Sequence, residues 1–142
     1  MRPDTENLGA RFYAYELAGG WKVFAGRTED DNDLLSTTFA HPDDWWFHAG
    51  SGVPGSHVIL RARPDGDPPR EILRQAAAIA AYHSKARAAS NVPVSCTRAR
   101  YVTKPRRAKP GLVQIEHETT YKVRPMTPHP ARTARVSDLE HE

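Results

Sequence analysis

Two tryptophans, two histidines and two acids fall within residues 43–61, which read Asp-Asp-Trp-Trp-Phe-His-Ala-Gly-Ser-Gly-Val-Pro-Gly-Ser-His-Val-Ile-Leu-Arg. Asp44, His48 and His57 offer a carboxylate and two imidazoles, a donor set that suits zinc or manganese. Spacing argues against that chemistry in part. Successive strand residues point to opposite faces, so only Asp44 and His48 share one by parity, and no His-x-His or His-x-x-x-His pair occurs. A second reading makes the same acid and histidines hydrogen-bonding groups that pin a tight turn built on Gly50, Gly52, Pro54 and Gly55. Pro54-Gly55-Ser56 also offers backbone N–H groups to a phosphate, but lacks the Gly-x-x-x-x-Gly-Lys pattern of a nucleotide-hydrolysing loop.

The other charged constellation lies downstream. Arg98, Arg100, Lys104, Arg106, Arg107 and Lys109 place six cations within residues 98–109, with no acid among them and with Tyr101 inside the run. A loop of this kind follows a phosphate backbone by displacing counterions, and its ring offers a stacking surface for a base. The two halves of the chain differ accordingly. Residues 1–66 carry six Lys/Arg against ten Asp/Glu, a net of −4, whereas residues 67–142 carry fourteen against seven, a net of +7. Charge asymmetry of this size points to a polyanionic partner. It adds a third reading of residues 43–61, a His/Trp surface against RNA sugars or bases. Binding through Lys and Arg without an Asn/Gln array implies phosphate contacts and little base readout.

Enzymatic machinery is otherwise thin. His83 and Ser84 are helix neighbours about 100° apart and so form no nucleophile–base pair. The single Cys96 excludes an internal disulfide and suits a reducing cytoplasm. No apolar run approaches the length of a membrane span, no signal-peptide order opens the chain, and no small-molecule site or cofactor motif is evident.

The elements that must position these residues follow from periodicity. Arg11–Leu17 and Trp21–Ala25 read as a hairpin turning at Gly19-Gly20. Asp30, Asp31 and Asp33 precede Leu34-Leu35 as a short helix start. Trp45–His48 and His57–Arg61 are strands on either side of the glycine-rich turn, with Trp45 and Trp46 on opposite faces. One long helix is expected over residues 68–89, with Asp67 as N-cap and Pro68 in its first position. Its core stripe is Ile72, Ala76, Ile79, His83 and Ala86, with Leu73 and Ala80 beside them. A second stripe, Arg70, Arg74, Ala78, Ala81 and Lys85, is small in the middle and basic at both ends. Val92–Thr97 reads as a strand, and Leu112–Glu116 with Thr120–Arg124 as a final hairpin. The expected fold is α+β, a mostly antiparallel sheet on one long helix, as a domain over residues 1–125 with a disordered tail over 126–142.

Several short patterns together resemble the NFACT-R domain, the RNA-binding module of fibronectin-binding-protein-like ribosome quality-control factors. They are Gly26-Arg27 with Asn32-Asp33, Asp44-x-Trp46-Phe47-His48, and Pro54-Gly55-Ser56-His57-Val58. Downstream come Ala76-Ala77 through Ala80-Ala81-Tyr82, Ser84-Lys85-Ala86-Arg87, Val102, Lys104-Pro105 and Lys109-Pro110-Gly111. The resemblance spans about residues 11–125, with Thr28 where the family has asparagine. It implies a non-enzymatic binder of tRNA or rRNA, with the ribosomal large subunit a partner and ribosome quality control or tRNA processing the setting. The family's N-terminal domain and coiled coil have no counterpart in these residues, which read as a free-standing version. The residues expected at RNA are Arg27, His48, His57, Arg74, Lys85, Arg87, Arg98, Arg100, Tyr101, Lys104, Arg106, Arg107 and Lys109. The alternatives are a metal-dependent nuclease or hydrolase using Asp44, His48 and His57, and a protein-interaction module with a basic docking loop.

Overall fold

The computed structural model describes residues 11–49 and 55–128. Gly50, Gly52 and Pro54 of the expected turn, and residues 129–142 of the expected tail, lie outside the described residues.

Among the described residues eight strands form: β1 (Phe12–Leu17), β2 (Trp21–Gly26), β3 (Trp45–Ala49), β4 (Val58–Leu60), β5 (Val92–Arg98), β6 (Val102–Thr103), β7 (Gln114–Ile115) and β8 (Thr119–Val123). Two α-helices accompany them among the described residues, α1 (Glu29–Leu34) and α2 (Arg70–Tyr82). Six strands make one antiparallel sheet in the order β1-β2-β4-β3-β5-β8, and β6 pairs with β7 in a separate ribbon. The α+β expectation of a mostly antiparallel sheet on a helix therefore holds. Gly19 and Gly20, with φ of 87° and 83°, close the first hairpin in the left-handed conformation that glycine adopts without a Cβ clash.

Both faces of the sheet are buried, because alternation places apolar side chains on each. On one, Tyr15, Val23, Phe47, Val58, Leu60 and Val94 pack against Ile72, Ala76, Ile79 and Ala80 of α2. On the other, Phe12, Phe24, Trp46 and Ile59 pack against Leu35 and Phe39, with Val102, Val113 and Ile115 at the margin. Leu35–Phe39 continues α1 as a wider π-type turn, in which the Ala40 N–H reaches the Leu35 carbonyl at 2.9 Å.

Three expectations about elements are corrected. The long helix spans Arg70–Tyr82 rather than 68–89. Pro68 precedes Pro69 and is therefore driven out of the helical region, so it cannot fill the first helical position, and Pro69 caps the helix in an extended conformation. It stops at Tyr82 because the Ser84 hydroxyl takes the Ala81 carbonyl at 2.7 Å and the His83 carbonyl turns to the Ser56 N–H at 3.1 Å. Ala81, expected on the basic stripe, is fully buried. The final hairpin does not form: β7 pairs with β6, and β8 pairs with β5. Val113 and Ile115 serve the α1 face whereas Tyr121 and Val123 serve the α2 face, so the two segments diverge. His117, at φ 55°, makes the turn between them. Beyond β8 the Met126 N–H still donates to the Ala78 carbonyl at 3.2 Å, so the chain lies along α2 past residue 125. No described helix is long and apolar enough to cross a membrane.

Asp44 is a structural anchor of this frame. Its side chain is fully buried, with Oδ2 accepting from the His41 N–H at 2.8 Å and from Arg61 Nη1 at 2.6 Å, and Oδ1 accepting from the Ala62 N–H at 2.8 Å. Arg61 in turn lies over the Phe39 ring, 4.3 Å from its centroid. Removing one partner of such a pair strands the other. Asp44→Ala is expected to destabilise the fold by about 3–5 kcal/mol in urea unfolding, and Asp44→Asn by less. A loss within the range of surface substitutions would contradict this role.

Candidate nucleic-acid interface

One end of the sheet, where β2 and β3 finish and β4 begins, is held by Asn32. Its Oδ1 accepts the His57 N–H at 3.0 Å, and its Nδ2 donates to the Gly55 carbonyl at 3.3 Å. Gly26 passes so close that a Cβ there would lie 2.0 Å from Asn32 Oδ1. A Cβ at Gly55 would likewise meet the Ser84 side chain at 2.9 Å. Both glycines are required by approach rather than by conformation. The Ser56 hydroxyl adds a 2.5 Å bond to the Gly26 carbonyl. Thr28 caps α1, its Oγ1 accepting from the Asp31 N–H at 3.0 Å, so the departure from the family asparagine keeps a capping side chain. Asp33 then fastens the basic loop, accepting from the Gly111 N–H at 3.0 Å and from Lys104 Nζ at 3.1 Å.

These contacts enclose an open cleft of about 1050 Å³. Arg27, Lys85, Arg87 and Lys109 line it together with His48, and Glu29 is the one carboxylate among the described residues that line it. All four cations are exposed, and none makes an ion pair among the described residues. Two are held by rings instead. Arg27 lies 5.4 Å from the Tyr13 centroid, and Arg87 lies 4.9 Å from that of Tyr82. His83 links the two tyrosines, stacked on Tyr13 at 4.6 Å and edge-on to Tyr82 at 5.2 Å. Sequence reasoning missed Tyr13 and Tyr82. Their signal is an aromatic in the half-buried phase of each element, but their partners lie far away in sequence.

The structure separates the other expected contacts. Arg98 lies 3.6 Å from the Trp45 ring centroid and pairs with Asp67 at 3.6 Å, on the α2 face of the sheet. Arg100 pairs with Asp43. Lys104 closes the basic loop on itself, donating to the Lys109 and Leu112 carbonyls as well as to Asp33. Arg74 donates to the Lys122 carbonyl at 3.1 Å, beside β8 and away from the cleft. Tyr101 packs on His117, with centroids 4.5 Å apart. Arg106 and Arg107 are exposed on the loop but do not line the cleft. His57 is buried and stands behind His48 rather than at the surface.

Asp44 does not join the histidines. Both of its oxygens are occupied as described above, and no three His, Cys, Asp or Glu side chains converge as metal ligands among the described residues. The metal-centre reading of Asp44, His48 and His57 is therefore corrected. His57 belongs instead to a hydrogen-bonded relay. Trp46 Nε1 donates to Ser36 Oγ at 2.9 Å, and Ser36 Oγ shares a 2.8 Å hydrogen bond with His57 Nδ1. His48 sits in the same cluster, its ring 5.3 Å from that of His57 and 6.0 Å from that of Trp46.

All three imidazoles are held toward the neutral form. Burial lowers His48. It lowers His57 to about 4, with the neighbouring His48 adding to the effect. Burial and the Arg87 charge lower His83 to about 4, where its Nε2 shares a 2.5 Å hydrogen bond with the Tyr15 hydroxyl. In the unfolded chain a histidine titrates near 6.5. Between that value and about 4, the unfolded state takes up protons that the folded state refuses, so stability is complete above pH 6.5 and is lost as pH falls. Each of the two histidines is expected to add up to about 1.4 kcal/mol per pH unit to that loss. Urea unfolding followed from neutral pH down to about pH 5 checks this, and a flat profile would contradict it.

Residues 11–117 match the family model described as the NFACT protein RNA binding domain. The Rqc2 homolog RqcH of Bacillus subtilis (strain 168) is 40% identical over 111 residues, covering 78% of this chain and 19% of that protein. Its namesake in Streptococcus suis is 37% identical over 103 residues, covering 72% and 18%. The chain thus spans about a fifth of the length of these relatives. The solved C-terminal region of the fibronectin/fibrinogen-binding protein from Streptococcus suis superposes with a TM-score of 0.74 at 35% identity, over 82% of this chain and 46% of that one. By sequence and by fold, the chain belongs to the NFACT RNA-binding domain family.

Proposed function

We propose that this domain is a non-enzymatic binder of structured RNA, tRNA or rRNA, that grips the backbone at the cleft formed by α1, β3, the segment after α2 and the basic loop. The observation that carries this reading is the set of four exposed cations, Arg27, Lys85, Arg87 and Lys109, gathered on one cleft without carboxylate partners among the described residues. Cations in that state exchange condensed counterions for phosphates, whereas Arg98 and Arg100 would first give up an internal ion pair. Arg106 and Arg107 extend the positive field from the loop. Membership in an RNA-binding family supports RNA as the polyanion, and relatives named as Rqc2 homologues support a role in ribosome quality control in the cytoplasm. The ribosomal large subunit and tRNA processing are the two settings in which tRNA or rRNA would be met.

Fluorescence anisotropy with a tRNA across a salt series tests the site. Replacing Arg27, Lys85 and Arg87 by Ala together is expected to lower the log–log salt slope by roughly 2 to 3. The Arg98→Ala/Arg100→Ala pair should leave the slope unchanged. An unaltered slope in the triple variant would remove the cleft as the site. A cellular partner that stays bound after nuclease treatment would favour docking of an acidic protein instead.

A further inference from the structure

The cleft is built in two tiers of different chemistry. Its floor carries the His48 ring, which projects from β3, the fourth of the six strands in the sheet order. That ring is half-buried, lies at 26° to the Trp46 ring, and meets His57 edge to face at 86°. Trp46 and His57 are themselves fixed through Ser36, so the His48 ring is a braced, uncharged surface. The rim carries the four cations together with Pro110 and Leu112. Leu112 is 56% exposed, one of two large apolar side chains so exposed among the described residues. Glu29 also lines the cleft.

An A-form duplex turns its bases inward and offers its phosphates and a shallow minor groove to a protein. Such a surface meets the rim cations but leaves the His48 ring and Leu112 facing water, and it sets Glu29 against phosphate. A base splayed from its stack makes use of all three. Its face packs on the imidazole and the leucine, its amino or imino edge donates to the carboxylate, and its flanking phosphates reach the rim. The cleft, at about 1050 Å³, lies at the upper end of the volumes of small-molecule pockets, well beyond what a lone phosphate fills. Resting on the RNA reading above, we propose that the cleft receives an unpaired nucleotide, so that the preferred RNA carries a bulge, loop or single-stranded end where it meets His48, Leu112 and Glu29.

Two blunt-ended RNA duplexes matched in phosphate number to within one test this, one continuously paired and one with a single-nucleotide bulge. The bulged RNA is expected to bind the wild-type protein about tenfold or more tightly at the same salt concentration. A 2-aminopurine placed in the bulge should change its fluorescence on binding, whereas one placed in the stem should not. His48→Ala should bring the bulged RNA to the affinity of the paired one with the salt slope kept, and His48→Phe should retain most of the preference. Equal, salt-dependent binding of both RNAs to the wild-type protein would overturn the unpaired nucleotide and leave the RNA reading standing. A His48→Ala variant that weakens both RNAs alike would also overturn it. Absence of salt-dependent binding to either RNA would overturn both readings together.

Discussion

One side-chain amide settles the geometry of the functional end of this domain. Asn32 is nearly buried and satisfies two backbone groups of the segment that enters β4, the His57 N–H and the Gly55 carbonyl. Left unpaired, each of those groups would cost about 1–3 kcal/mol, so the entry to β4 has one place to lie. That placement fixes Ser56, which binds the Gly26 carbonyl through its hydroxyl and the His83 carbonyl through its N–H. It also fixes Gly55 against Ser84, where α2 has ended. From the same short helix Asp33 fastens the basic loop. Distant segments of the chain therefore converge on one amide. Gly26 and Gly55 are the vacancies that let them come so close.

Charge is sorted within this frame. The second half of the chain carries a net of +7, yet three of its cations are held in internal ion pairs. Asp43, Asp67 and Asp33, from loops and α1, hold Arg100, Arg98 and Lys104 respectively. Asp44, with both oxygens engaged, holds Arg61 inside the fold. What stays available to a partner among the described residues includes the cations of the cleft and of the loop tip, with Arg70, Lys122 and Arg124 exposed outside them. The acidic first half and the basic second half thus interlock rather than face one another.

How much of this was legible in the sequence follows from the range of the interactions. Local rules sufficed for the first hairpin, whose two glycines take left-handed φ, and for Trp45 and Trp46, whose alternation places one on each face. They also sufficed for the apolar stripe of α2, where Ile72, Leu73, Ala76, Ile79 and Ala80 are buried. They failed where a distant partner decides. The helix stops at Tyr82 because Ser84 and His83 have work to do with Ala81, Ser56 and Tyr15, which a periodic pattern cannot register. Strand β7 departs from β8 because each covers a different core. The run of cations from Arg98 to Lys109 reads as one surface along the chain, but parity and pairing divide it among two faces and a loop closure. The family patterns fared better, because Gly26, Asn32, Gly55, Ser56 and Ser84 are contiguous in space although scattered in sequence.

The row of rings from Tyr13 through His83 to Tyr82 has a kinetic meaning. A guanidinium held by a carboxylate must exchange one anion for another before it can serve a ligand. Arg27 and Arg87 rest on aromatic faces instead, so they are oriented while keeping their full charge and their hydrogen-bond forks open. Some of the side-chain ordering that association demands is already complete in the free protein. Encounter with a polyanion then needs no internal bond to break, and the long-range field that draws the partner in is the same field that captures it.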